Sequence, residues 1–191
     1  MNRLLPVALI VFLLAVFRIV GSAFPETVPN FQPLAALFFC GAIIAKGWKG
    51  WAIPLGAWLL TYPAPAILQG KASYLAADVL LITGLAFAVT YFIGKSLSGR
   101  NTGILLLGSV AAAIAFHLVT NGAAWMFSPL YPKTIVGLWQ SLWTGPVLSE
   151  IPSWIFLRNM VGANLLFTTI FLSARFALPK FSANPEPVAA R

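Results

Sequence analysis

Apolar runs close to or above the ~20 residues needed to cross a hydrocarbon core recur from one end of this 191-residue chain to the other. Each such run reads as a transmembrane helix. Composition agrees: 60% of residues are hydrophobic and 8% charged, against about 25% charged in an ordinary soluble domain. The expected architecture is all-α, a polytopic integral membrane protein with one six-helix domain over residues 1–178 and a Pro-rich, disordered cytoplasmic tail over 179–191. The six spans are placed at 4–23, 31–45, 51–68, 74–93, 103–127 and 155–178, the second being short enough to need its flanks.

Positively charged loops are retained in the cytoplasm, so Lys and Arg on alternate sides give the orientation. Arg3, Lys46, Lys49, Lys95, Arg100, Arg175, Lys180 and Arg191 fall on one side; the other has Lys71 and Lys133, with Arg18 and Arg158 near span ends. Both termini are therefore expected to be cytoplasmic. Arg3, the apolar run and "GSA" at 21–23 also make a passable signal-peptide pattern; cleavage there would leave five spans in the same orientation. Between the fifth and sixth spans, Ile135, Leu138, Trp139 and Leu142 share one helical face, which suggests an interfacial helix or lid. Trp139 and Trp143 fit an outer aromatic belt equally well.

The net charge of +8 does not form a basic stripe, so no nucleic-acid partner is expected. Cys40 is the single cysteine and His117 the single histidine, which leaves no disulfide and no zinc-ligand spacing; neither a metal nor a cofactor is expected. The chain contains no phosphate-cradling GxxxxGK[ST] and no GxSxG. An enzyme is therefore not the expected class, and any transport would draw on a partner or on the substrate gradient.

What stands out is where the polar residues lie. At ~1.5 Å per residue, His117 is roughly 21 Å from the inner end of its span, and Asn121 lies further out. Arg18 is similarly deep, Thr61 and Tyr62 occupy the outer half of the third span, Asp78 opens the fourth, and Arg158, Asn159 and Asn164 begin the sixth. Ionisable groups at depth are costly unless they face protein or water, so their crowding on one side implies an outward-open polar cavity. His117 and Asn121, at i and i+4, share a helix face with Trp125 one turn beyond. In "TYPAP", Pro63 and Pro65 cannot donate to the carbonyls of Leu59 and Thr61, and the freed backbone could line the cavity.

Plainer roles compete with these. His117 and Asn121 can bond helices together. Arg18 or Arg158 can pair with Asp78, or snorkel to headgroups. Asn30 suits a helix N-cap. Cys40 and the pairs Gly108/Ala112 and Ala111/Ala115 suit close helix packing.

The strings "VPNFQPLAALFFCGA", "FHLVTNGAAW", "YPKTIVGL" and "FLRNMVGANLLFT" together resemble a family of uncharacterised bacterial inner-membrane proteins, a domain of unknown function, over roughly residues 17–177. That family is similar in turn to the substrate-binding S components of energy-coupling-factor vitamin transporters. The resemblance implies a six-helix bundle with both termini cytoplasmic and a ligand held near the outer surface under loops. It also implies a separate ATPase and coupling module as partner. This chain departs from the family at Thr61 and Tyr62, where Ser-Asp is common, and at Gly162 and Ala163, where Gly-Asp is common. The AxxxA docking signature of the first S-component helix is absent between residues 4 and 24.

The leading expectation is a bacterial inner-membrane protein that binds or takes up a small, vitamin-like, ring-containing nutrient. Its site would combine His117 and Asn121 as hydrogen-bonding groups, Trp125 as a stacking surface and Arg18 and Arg158 as anchors for an anionic group. Tyr62, Asp78 and Asn159 would be polar lining, and the segment with Tyr131, Lys133 and Trp139 would be the gate. A structural or assembly subunit of a membrane complex is the second expectation. An intramembrane lipid-modifying enzyme with His117 as base is the third.

Overall fold

The structure is a computed structural model that describes residues 5–24, 27–45, 47–147 and 149–177. The expected tail at 179–191 lies outside the described residues. Those described are all-helical: α1 (Leu5–Ala23), α2 (Leu34–Ile44), α3 (Lys49–Thr61), α4 (Ala64–Gln69), a 3-10 turn (Ala72–Leu75), α5 (Ala77–Ser96), α6 (Thr102–Phe127), α7 (Ile135–Leu142) and α8 (Ser153–Ala177). Four helical stretches are long and apolar enough to cross a membrane: 49–69, 77–96, 102–127 and 153–173.

α2 departs most from a simple spanning helix. Its 11 residues cover ~16 Å, about half the hydrocarbon thickness. It is apolar around its whole circumference, the pattern of a helix surrounded by others, and eight of those residues are buried. α3, α5, α6 and α8 all pack against it. Glycines let the backbones meet: a Cβ on Gly41 would lie 2.5 Å from the Gly50 carbonyl oxygen, and one on Gly94 of α5 would lie 2.4 Å from that of Phe39. Around α2 runs an aromatic column. Phe38 stacks on Phe87 at 4.5 Å, and Phe87 meets Trp58 at 5.2 Å and Phe116 at 5.0 Å.

The Gly108/Ala112 face of α6 is buried as expected, but Ala111 is exposed and Ala115 only half-buried. A single face of α6 can meet α2, and the second pair is rotated off it.

The third apolar run, expected as one span over 51–68, is broken at its prolines. α3 stops at Thr61 and α4 starts immediately after Pro63, ending at Gly70 in the left-handed region. The Leu59 carbonyl, expected to lack a partner, accepts instead from the Tyr62 N–H at 3.4 Å. Tightening the last turn replaces the bond that Pro63 cannot make. α1 packs against α4 and α3, and Phe17 meets Phe167 of α8 edge-on at 4.9 Å.

α7 is the helix read in the 134–150 segment. Thr134 caps it, accepting from the Gly137 N–H at 3.2 Å. It lies against α6 and α8, and Trp139, Trp143 and Trp154 form a stacked strip on its outer side, at 5.8 and 6.3 Å between successive rings.

Candidate functional site

One end of the bundle is hollow. Here α1 and α3 finish and α2, α5 and α8 begin, and their ends surround a cavity of 630 Å³. Arg18 and Ser22 come from α1, Asn30 and Gln32 from the approach to α2, and Tyr62 and Gln69 from the broken third run. Lys71 and Tyr74 line it from the 3-10 turn, Thr120 from α6, and Ser149, Glu150 and Ile151 from the approach to α8. Phe31, Trp58, Phe116 and Phe156 supply aromatic wall. Trp58 and Phe116 belong to the column around α2, so the cavity rests on the packed core.

The polar wall is organised by hydrogen bonds. Arg18 Nη1 donates to Gln32 Oε1, and Gln32 Nε2 donates to Asn30 Oδ1 at 2.9 Å. Asn30 holds a left-handed backbone, with φ 60°, which its short amide tolerates. It is not the α2 N-cap expected from sequence, because Pro33 occupies that position. Gln69 Nε2 donates to the Ser22 carbonyl at 3.1 Å and ties α4 to α1. Tyr62 donates to the Ala76 carbonyl at 3.4 Å.

Of the residues expected from sequence to bind substrate or form the gate, Arg18 and Tyr62 line this cavity and the others do not; Asn30 and, from the TYPAP segment, Pro65 line it as well. His117 Nε2 sits 2.9 Å from the Leu142 carbonyl and Asn121 Nδ2 sits 3.1 Å from His117 Nδ1. A carbonyl can only accept, so Nε2 carries the proton and Nδ1 accepts from the amide. Asn121 Nδ2 also donates to the His117 carbonyl at 3.0 Å. The pair is a clamp from α6 to the end of α7.

Trp125 and Lys133 extend that clamp. Trp125 Nε1 donates to the Pro132 carbonyl at 3.0 Å, while Lys133 Nζ donates to the carbonyls of Trp125 and Ser128. Tyr131 is buried in the same loop, and burial pushes its phenol pKa up. Trp139 is exposed in the tryptophan strip. Trp125 and Lys133 thus tie the 128–133 loop to the end of α6, and residues 149–151 line the cavity.

Arg158 is exposed, with its guanidinium 5.4 Å from the Trp154 ring and bonded to Asn159 Oδ1. Asn159 Nδ2 in turn donates to the Pro29 carbonyl at 3.0 Å, anchoring the cavity rim from behind. Asp78 is an exposed acid in the first turn of α5, where the helix dipole favours it. Neither Arg18 nor Arg158 forms a salt bridge with Asp78 among the described residues. Asn164 is fully buried and donates to the Ser109 carbonyl of α6 at 3.0 Å. Cys40 is buried in the core.

Sequence reasoning missed Gln32, Gln69, Tyr74, Thr120 and Glu150 as lining. Gln32 had a legible signal, a polar residue between Phe31 and the proline that opens α2. Thr120 bonds its own helix through the Phe116 carbonyl at 3.0 Å, the ordinary habit of threonine in an apolar helix, and carries no such signal. No group of three or more His, Cys, Asp or Glu that could hold a metal occurs among the described residues.

Neither the curated proteins nor the solved structures hold a match to this chain. One protein family does match, over residues 1–185, and the chain belongs to it: the family of unknown function DUF6580.

Proposed function

We propose that the protein is a bacterial inner-membrane substrate-binding or uptake component for a small, vitamin-like nutrient carrying a ring, and that the cavity is its ligand site. In this reading the chain makes six passes with both termini cytoplasmic. α2 crosses as a short central helix with its flanks, α3 and α4 form one broken pass, and the cavity opens outward. The observation that carries the reading is the cavity itself. Its 630 Å³ falls in the ~300–1,000 Å³ range of small-molecule sites, and it combines an ordered polar wall with aromatic surface suited to a flat ring. A separate ATPase and coupling module would supply energy, since the chain has no nucleotide-binding motif of its own.

The reading is tested by native mass spectrometry of the full chain purified in mild detergent. A retained small molecule is expected, and the double substitution Gln32→Leu with Thr120→Leu should release it. Unchanged retention in that variant contradicts the site.

A structural or assembly subunit is the second reading, favoured by the His117–Leu142 and Asn164–Ser109 bonds, in which polar side chains join helices. It predicts stable co-purification with a larger membrane complex and no retained ligand. A lipid-modifying enzyme would need His117 as a base, yet both ring nitrogens of His117 have hydrogen-bonding neighbours.

A further inference from the structure

Arg18 is held by one edge only. Its Nη1 is committed to Gln32, which is itself fixed by Asn30, whereas Nε is buried with no hydrogen-bond partner among the described residues. In a planar guanidinium the Nε–H and the Nη2–H beside it point the same way, as two parallel donors. Two parallel donors are what the two oxygens of a carboxylate complete. A buried N–H without an acceptor is costly, so this edge marks a missing partner.

Resting on the reading of the cavity as a ligand site, we propose that its ligand bears a single carboxylate, seated on the Nε/Nη2 edge of Arg18, with a flat ring against Trp58 and Phe116. Charge favours a carboxylate over a phosphate. A phosphate monoester carries about −1.5 to −2 at neutral pH, whereas among the described residues the other charged side chains lining the cavity are the exposed Lys71 and Glu150, which offset one another.

The test is calorimetric titration of the full chain in detergent with three matched probes: 2-naphthoate, its neutral amide and 2-naphthyl phosphate, each corrected for uptake by empty micelles. The expected result is that naphthoate binds about tenfold or more tighter than the amide and that the phosphate gains nothing over naphthoate. Arg18→Lys keeps the charge but loses the fork, and should lower naphthoate affinity more than amide affinity, narrowing the acid preference severalfold. Equal affinity for acid and amide, or preference for the phosphate, overturns the carboxylate class yet leaves the cavity reading standing. An acid preference undiminished in Arg18→Lys overturns the assignment to Arg18, and binding by none of the probes overturns the proposal. Glu26 lies outside the described residues; naphthoate binding that appears only in Glu26→Gln would mean that the chain's own carboxylate fills the edge, and the proposal falls. The wild-type comparison needs no variant to fold.

Discussion

His117 and Asn121 show how far a residue-level reading reaches. Their spacing places them on one helix face, and the structure has them 3.1 Å apart, but the direction of that face could not be read. Rise per residue gives depth, whereas azimuth needs the positions of neighbouring helices. Phe116 and Thr120 line the cavity; His117 and Asn121 sit one residue further on, about 100° around the helix, and meet α7 instead. His117→Leu should therefore strip the Leu142 carbonyl of its donor at a destabilisation of about 1–3 kcal/mol. This would be read as a lower melting temperature in detergent and as faster hydrogen exchange in α7. Ligand retention should be kept, in contrast to the cavity variants; loss of ligand without loss of α7 protection would put His117 back in the site. Arg18 was legible as a deep cation; its pairing with Gln32 was not, because a polar residue between Phe31 and Pro33 signals a special position but not which helix it will meet.

Elements were easier to read than residues. Apolar run length located α1, α5, α6 and α8 to within a few residues and 3.6-residue spacing placed α7 inside the 134–150 segment, because these are local properties; the third run was read as one span over 51–68, and its division into α3 and α4 was not. The role of α2 was not local. Its sequence shows a short apolar run that needs its flanks to span, and only its neighbours make it the core. Close backbone approach is the cause, and it can be tested. Gly94→Val places side-chain atoms where the Phe39 carbonyl sits and should cost about 1–3 kcal/mol or more through overpacking. Gly56→Ala, where nothing lies within 4 Å, should be neutral or slightly stabilising through higher helix propensity. Comparing the melting temperatures of the two variants checks the packing, and equal behaviour would contradict it.

For the whole molecule, the account depends on polar groups gathering at one end of an apolar bundle around a water-accessible hollow. The distribution of Lys and Arg gives the expectation that this end faces outward; the chemistry of the hollow emerged only when separated segments came together. If the end faces outward, Thr120, on the cavity wall, is reachable from outside the cell. Thr168, fully buried between helices, is not. The most direct measurement is labelling of Thr120→Cys in intact cells with a membrane-impermeant thiol reagent, with Thr168→Cys and the native buried Cys40 as unreactive references and Lys71→Cys as the reactive rim. The account predicts labelling at 120 and 71 from outside and none at 168 or 40. Labelling at 71 with none at 120, or labelling at 120 only after the membrane is permeabilised, would contradict it.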